Sequence, residues 1–284
     1  MTIIGMVGAG HMGSALGWAL REAGNDVVTS LEGRSARSVR LASEAGLRVV
    51  PGLSGVVAAA EVILVVTPPD AALDAARGIA AAASGNHAVV VDLNAIAPST
   101  SRQVGEIVMA AGLDYVDGSI SGPPPTVRPG ANIYLSGSRA NEIATLQWKH
   151  VNPIVVGPTI GAASAVKMST ASVYKGTIGL LAQAIRAADA HGVLDIVLAD
   201  LGTDLASPFS VALAATKAER YVPEMHQIAM SQKSVGLTPA LFEALAAVWS
   251  DVARTSLAGG DPESVDREIT GREVADRLRQ EREP

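Results

Sequence analysis

Along the first half of the chain, short runs of β-branched and aliphatic residues alternate with longer Ala-rich stretches of helical character. The runs at 3–7, 26–29, 47–50, 62–66 and 88–92 are apolar on both sides, as expected of strands covered by helices on both faces of a parallel sheet. Residues 114–117, 132–136 and 152–156 predict further strands that extend the same sheet. Residues 122–130 and 156–161 are rich in Pro and Gly and read as loops around the last of these.

From Gly161 onward the β-branched runs vanish and the pattern becomes helical. Residues 162–191 predict one long helix in spite of Gly176 and Gly179, with Gly192 as its stop. Further helices are expected at 194–205, 208–231 and 239–257, with Pro223 breaking or kinking the second of these. Residues 264–283 mix both charges densely and read as a solvated surface helix or a frayed tail. The shift in pattern places a domain boundary after residue 160. An α/β domain over 1–160 is then followed by an all-helical domain over 161–284, and the long helix joins the two.

Composition narrows the function. Apolar residues make up 48% of the 284 positions, enough for a core, yet aromatics are only 3%, which disfavours a stacking site. A net charge of -6 leaves no surplus of cations for a nucleic acid backbone or an anionic membrane surface. The absence of cysteine excludes disulfides, thiolate metal sites and cysteine nucleophiles. No cluster of histidines and carboxylates has metal-ligand spacing, so no metal is expected. The opening residues lack the basic region and cleavage site of a secretory signal, and no apolar stretch reaches the roughly 20 residues of a membrane span. These features lead us to expect a soluble, cytoplasmic protein.

One motif carries specific chemistry. Gly8-Ala9-Gly10-His11-Met12-Gly13 stands between a predicted strand and an amphipathic helical stretch, the context that turns GxGxxG into a dinucleotide signature and the domain into a doubly wound Rossmann domain. Gly8 makes the tight turn, Gly10 lets a pyrophosphate approach the backbone and Gly13 brings helix and strand together. At the end of the second strand the signals conflict. Glu32 has about the spacing of an acid that binds ribose hydroxyls, as for NAD, whereas Arg34, Ser35 and Arg37 offer what a 2′-phosphate demands. NADP is the favoured cofactor and NAD the alternative, with Glu32 turned to solvent and Gly33 letting the loop fold its cations over the phosphate.

The chain resembles the β-hydroxyacid dehydrogenase and 6-phosphogluconate dehydrogenase superfamily over nearly its full length. Besides the glycine motif, the resemblance rests on Thr67-Pro68-Pro69 with the segment from Asp92 to Pro98, on Asp117-Gly118-Ser119-Ile120-Ser121-Gly122, and on residues 161–167. It implies that Thr67, Pro68 and Asn94 border the nicotinamide, that Ser121 and Gly122 hold a substrate carboxylate, and that Lys167 is the catalytic acid/base. It further implies a homodimer through the C-terminal helices, in which Arg220, Tyr221 or His226 completes the other subunit's site.

Two departures set the chain apart. Pro123-Pro124-Pro125 stands where the family's substrate loop continues with glycines, and Ala171 stands where it has a substrate-orienting Asn. These features, with Tyr174-Lys175-Gly176 and the 220–225 block, are similar to a branch that carries a C-terminal domain of unknown function. On a helix Lys167, Ala171, Tyr174 and Lys175 share one face, so Tyr174 and Lys175 join Ser121, Gly122 and Asn94 as candidate substrate contacts. Hydride transfer to or from the hydroxyl or carbonyl carbon of a small organic acid is the leading expectation. Imine reduction and oxidative decarboxylation are enzymatic alternatives, and a dinucleotide sensor without turnover is the non-enzymatic one.

Overall fold

The computed structural model describes residues 1–83 and 85–282, apart from the side chains of residues 203 and 204. Its first unit is built in the order β1 (Ile3–Val7), α1 (His11–Glu22), β2 (Asp26–Thr29), α2 (Ala36–Glu44), β3 (Arg48–Val49), α3 (Gly52–Ala59), β4 (Val62–Val65), α4 (Ala72–Ala82), β5 (Val89–Asp92) and α5 (Pro98–Ala110). It continues through β6 (Asp114–Ser121), β7 (Ala131–Ser136), α6 (Ala140–Ala144) and β8 (Val151–Gly157). One sheet holds all eight strands in the order β3-β2-β1-β4-β5-β6-β7-β8. The first six are parallel and doubly wound, with the strand order reversing between β1 and β4.

The later strands extend the same sheet as expected, but β7 runs antiparallel to β6 while β8 runs parallel to β7. The segment 122–130 between β6 and β7 is too short for the crossover of a dozen or so residues that a parallel pair requires, so the chain turns back. β6 is also longer than the sequence pattern shows, running through Gly118 to Ser121. A side chain at Gly118 would strike Leu93 and the Asp92 carbonyl, so its glycine lets β5 and β6 stay paired here.

Alternation along the strands divides the core between the two faces of the sheet. Ile4, Met6, Val62, Leu64, Val89 and Val91 pack with Leu16 and Leu20 of α1 on one face. Ile63, Val65, Val90 and Tyr115 pack on the other with residues of α3, α4 and α5. This double burial is why the strands are apolar throughout, and why a carboxylate inside one of them needs an explanation.

The second unit contains α7 (Ala162–Ala190), α8 (Leu194–Leu205), α9 (Pro208–Ala215), α10 (Ala218–Ser234), α11 (Ala240–Ala253) and α12 (Gly271–Arg279), with α7 beginning in the first. The chain divides into compact units at Met1–Met168 and Ser169–Pro284, a division that falls inside α7. Gly176 and Gly179 both lie inside α7, and at Gly179 α11 packs closely: a methyl there would stand 2.9 Å from Leu245 and 3.4 Å from the Trp249 indole nitrogen.

The helix expected over 208–231 is two helices, and the break is not at Pro223. It falls at Thr216 and Lys217, where the Thr216 hydroxyl bonds the Leu213 carbonyl and the Lys217 N–H bonds the Ala214 carbonyl in a tightened turn. Pro223 lies within α10, which runs on past it. The 239–257 segment forms α11 and then a short 3-10 turn at Ser256–Ala258. Of the charged stretch 264–283, Gly271–Arg279 is helical, opened by a capping box between Thr270 and Glu273; residue 283 lies outside the described residues. No helix among the described residues is long and apolar enough to cross a membrane.

Candidate active site

The glycine loop lies at the carboxyl end of β1, beside the point where the strand order reverses, the place at which doubly wound sheets bind ligands. Each glycine has a distinct physical reason. Gly8 adopts φ 99°, and a Cβ there would stand 2.2 Å from the Val66 carbonyl oxygen. A Cβ on Gly13 would stand 2.0 Å from the Gly8 oxygen. Around Gly10, by contrast, nothing lies within 4 Å of the place a Cβ would take. Gly10 is also the N-cap of α1 and has no side chain to satisfy the first amides, and no acidic residue lies in the first turn. An opening free of side chains at the N-terminal, positive end of a helix fits a pyrophosphate, so the residues present suit a dinucleotide. The loop is held by the Ser14 hydroxyl, which donates to the Ala9 carbonyl at 2.8 Å; Ala9, His11 and Met12 complete it.

At the end of β2, Gly33 at φ 67° and the Arg34 N–H bonded to the Leu31 carbonyl turn the chain sharply toward α2. Arg34 is exposed and Arg37 half-buried. Ser35 has a structural task, since its hydroxyl accepts the Ser38 N–H as the N-cap of α2. The Glu32 carboxylate reaches toward the start of α3, where its oxygens lie 3.5 and 3.8 Å from the place a Cβ would take on Gly52.

Asn94 ties the end of β5 to that of β4. Its side-chain oxygen accepts the Thr67 N–H at 2.6 Å, and its amide nitrogen donates to the Thr67 hydroxyl and to Asp92. It is buried, so in this structure both of its amide hydrogens serve the Thr67-Pro68 loop and Asp92 rather than an open surface.

Asp92 is fully enclosed. Burial first, and then the neighbouring Asp117 carboxylate, push its carboxyl up to about 7 against the hydrogen bonds from Asn94 that favour the charge. The fold therefore keeps a proton on Asp92 at pH values where the unfolded chain has lost it, from about 4 to about 7. Stability from this source is complete below the unfolded value and is lost as pH rises through about 7. Asp92→Asn is expected to remove that component, so the difference in melting temperature between variant and wild type should shift in the variant's favour from pH 5 to pH 8. A pH-independent difference by circular dichroism would refute the assignment.

The other resembled positions lie along β6 and the opening of α7. The Ser121 side chain is half-buried at the end of β6, directly across from Asn132 of β7. Gly122 follows at φ 139°, where a side chain would strike Ala131. Pro125 of the triple proline is buried, and the Val127 and Arg128 N–H groups both bond the Pro124 carbonyl, closing the turn. Lys167 is half-buried, and its ammonium donates to the Ile120 carbonyl at 2.7 Å, one residue before Ser121.

Tyr174 and Lys175, four residues or fewer past Ala171, fare differently. Tyr174 is 70% exposed. Lys175 is largely buried within the helical unit, ion-paired with Glu224 and with its ammonium 4.4 Å from the centre of the Tyr221 ring. Tyr221 packs edge-on against the Trp249 indole, and burial raises its hydroxyl above the usual phenol range. The shared helix stripe thus does not give these two side chains a shared environment. Arg220 and His226 are exposed on α10.

Sequence reading missed the polar group beneath this region. Ser101, Ser119, Ser136 and Ser164, with Asp117, form buried hydrogen bonds between α5, β6, β7 and α7, and buried Asp92 of β5 is the register partner of Asp117. The available signal was a carboxylate directly after apolar strand residues, Asp92 at the end of β5 and Asp117 after Tyr115 and Val116 in β6.

Comparison with known proteins agrees with this geometry. Residues 3–155 match the family model described as the NAD binding domain of 6-phosphogluconate dehydrogenase, and residues 188–252 match a domain of unknown function, DUF1932. The chain is 27% identical to MTH1747, a conserved protein of unknown function described as structurally similar to 3-hydroxyacid dehydrogenases, with 91% of this chain and 100% of that one aligned at a TM-score of 0.65. In fold it is similar to the Mycobacterium tuberculosis 3-hydroxyisobutyrate dehydrogenase solved with L-serine, at 18% identity, 93% and 98% coverage and a TM-score of 0.68. It is similar in the same way to an imine reductase from Myxococcus stipitatus in complex with NAD+, at 18% identity, 99% and 100% coverage and a TM-score of 0.54. With the glycine loop at the strand-order reversal and the family match spanning more than half its length, the chain belongs to the family of the NAD binding domain of 6-phosphogluconate dehydrogenase.

Proposed function

We propose that the protein is an NADP-preferring oxidoreductase that moves a hydride between the nicotinamide and the hydroxyl or carbonyl carbon of a small organic acid, with Lys167 as general acid/base. The observation that carries this reading is the hydrogen bond from Lys167 to the Ile120 carbonyl, which holds an ammonium near the end of β6, one residue before Ser121 in sequence. When bound, the dinucleotide supplies the hydride acceptor or donor. The amides at the start of α1 hold its pyrophosphate, and Arg34 and Arg37 hold the 2′-phosphate. Asn94 fixes the Thr67-Pro68 loop that borders the nicotinamide. The Ser121 hydroxyl and the Gly122 backbone orient the substrate carboxylate. Lys167 takes the hydroxyl proton in oxidation and returns it to the carbonyl oxygen in reduction.

The cofactor part is tested by titrating NADPH and NADH against the wild type and Arg34→Ala, read by nicotinamide fluorescence. A charge-assisted hydrogen bond at an exposed site supports about a tenfold preference for NADPH, which the variant should lose. Tighter binding of NADH, unaffected by the substitution, would assign NAD instead, equal affinities would refute the NADP preference, and binding of neither nucleotide would overturn the reading. With the preferred cofactor in hand, hydroxyacids, ketones and imines can be screened side by side.

A further inference from the structure

We propose that Asp117 is the positioning residue of Lys167: its carboxylate holds the first turn of α7 and so sets where the lysine ammonium meets the end of β6. The catalytic meaning of this inference rests on the role proposed above for Lys167, but its geometry does not.

Asp117 is 1% exposed and accepts five hydrogen bonds, all from neutral donors. The Ser101 hydroxyl of α5 reaches one oxygen at 2.7 Å, and the Ser136 hydroxyl of β7 reaches the other at 2.8 Å. The remaining three come from the opening of α7: the Gly161 N–H at 3.0 Å, the Ser164 N–H at 3.1 Å and the Ser164 hydroxyl at 2.5 Å. Ser136 in turn accepts the Ala163 N–H at 3.0 Å. The N–H groups at the start of a helix ordinarily find a side-chain cap next to them in sequence. Gly161 cannot provide one, and its place is constrained, because a Cβ there would stand 3.1 Å from both Pro98 and the Arg102 guanidinium while the backbone holds φ 101°. The cap of α7 is therefore supplied by a strand distant in sequence, with a negative charge at the positive end of the helix.

The same strand grips the next atoms of the helix. The Ser119 hydroxyl donates to the Ala163 carbonyl at 2.8 Å, and the Ile120 carbonyl accepts from Lys167. Lys167 follows Ser164 by three residues, one turn along the same face. A loosened first turn would thus carry the ammonium with it. The titratable and charged groups around Asp117 are Asp92, its register partner on β5, Tyr115 on β6, whose hydroxyl is raised by burial and by both carboxylates, and Arg102 of α5 beside Gly161, with Lys167 one turn of α7 beyond Ser164.

The test is competitive acetylation of the full chain with acetic anhydride over a range of pH, with Lys167 and the half-exposed Lys149 followed by peptide mass spectrometry. In the wild type Lys167 should react more slowly than Lys149. In Asp117→Asn the loss of charge-assisted bonds to the helix should raise its rate about tenfold and move its pH midpoint, with Lys149 unchanged. Ser164→Ala, which keeps the carboxylate, should shift both in the same direction by less, and Ser164→Thr should restore them, a rescue that general loosening of the fold would not give. Should Asp117→Asn fail to fold, the Ser164 pair decides. Wild-type rate and midpoint in folded Ser164→Ala would overturn the proposal. Because no nucleotide or substrate enters the measurement, a failure to bind NADPH would count against the proposed function and leave this result standing.

Discussion

Lys167→Met is expected to lower kcat by about 10²–10⁴-fold, the range contributed by a positioned acid or base, while dinucleotide affinity stays within about twofold of wild type. Met keeps the length and apolar stem of the side chain but removes the ammonium that meets the Ile120 carbonyl. The glycine loop is separated in sequence from this contact and is built on β1 and α1, so cofactor binding has no reason to change. The two quantities are measured separately, by steady-state turnover of the substrate found in the screen and by nicotinamide fluorescence. An unchanged kcat would remove Lys167 as the acid/base. A loss of affinity equal to the loss of turnover would show that Lys167 holds the cofactor or the fold rather than the proton.

What the sequence made legible follows from how local its causes are. β1, β2 and the start of α7 stand where the pattern puts them, because a strand apolar on both faces or an Ala-rich run ending at Gly192 is specified by its own residues. The glycine loop was equally legible, since each glycine is there to avoid a clash or leave a space. The reversal at β7 was not, because parallel and antiparallel neighbours differ in the length of the connection rather than in the strand pattern. Nor was the fate of Lys175: a helical stripe gives its angular place beside Lys167, but its partner Glu224 lies on α10. Pro223 is a strong local signal for a break or kink, and α10 continues past it without a break. The Asp92 and Asp117 carboxylates were visible beside apolar strand residues, yet the donors to Asp117 come from serines on α5, β7 and α7, which only the fold assembles.

A pair of substitutions in the glycine loop should separate folding from binding. Gly13→Ala places a methyl 2.0 Å from the Gly8 carbonyl oxygen, and neither backbone can yield easily, since Gly8 is itself confined against the Val66 carbonyl. The first turn of α1 must move away from β1 by on the order of 1 Å, an overpacking that costs about 1–3 kcal/mol and several degrees in melting temperature. The amides that hold the pyrophosphate move with it, and affinity for either nucleotide should fall about 100-fold or more, as expected when oriented donors are misplaced by that distance. Gly10→Ala meets nothing within 4 Å, so the variant should melt with the wild type. Its methyl nevertheless occupies the space through which the pyrophosphate approaches the backbone, and affinity should fall on the order of 100-fold with no loss of stability. Thermal melts and fluorescence titrations on both variants decide the matter. Wild-type affinity in Gly10→Ala would mean that no ligand enters the loop, and it would dismiss the dinucleotide site even if Gly13→Ala behaves as expected, because the Gly13 clash is a property of the fold alone.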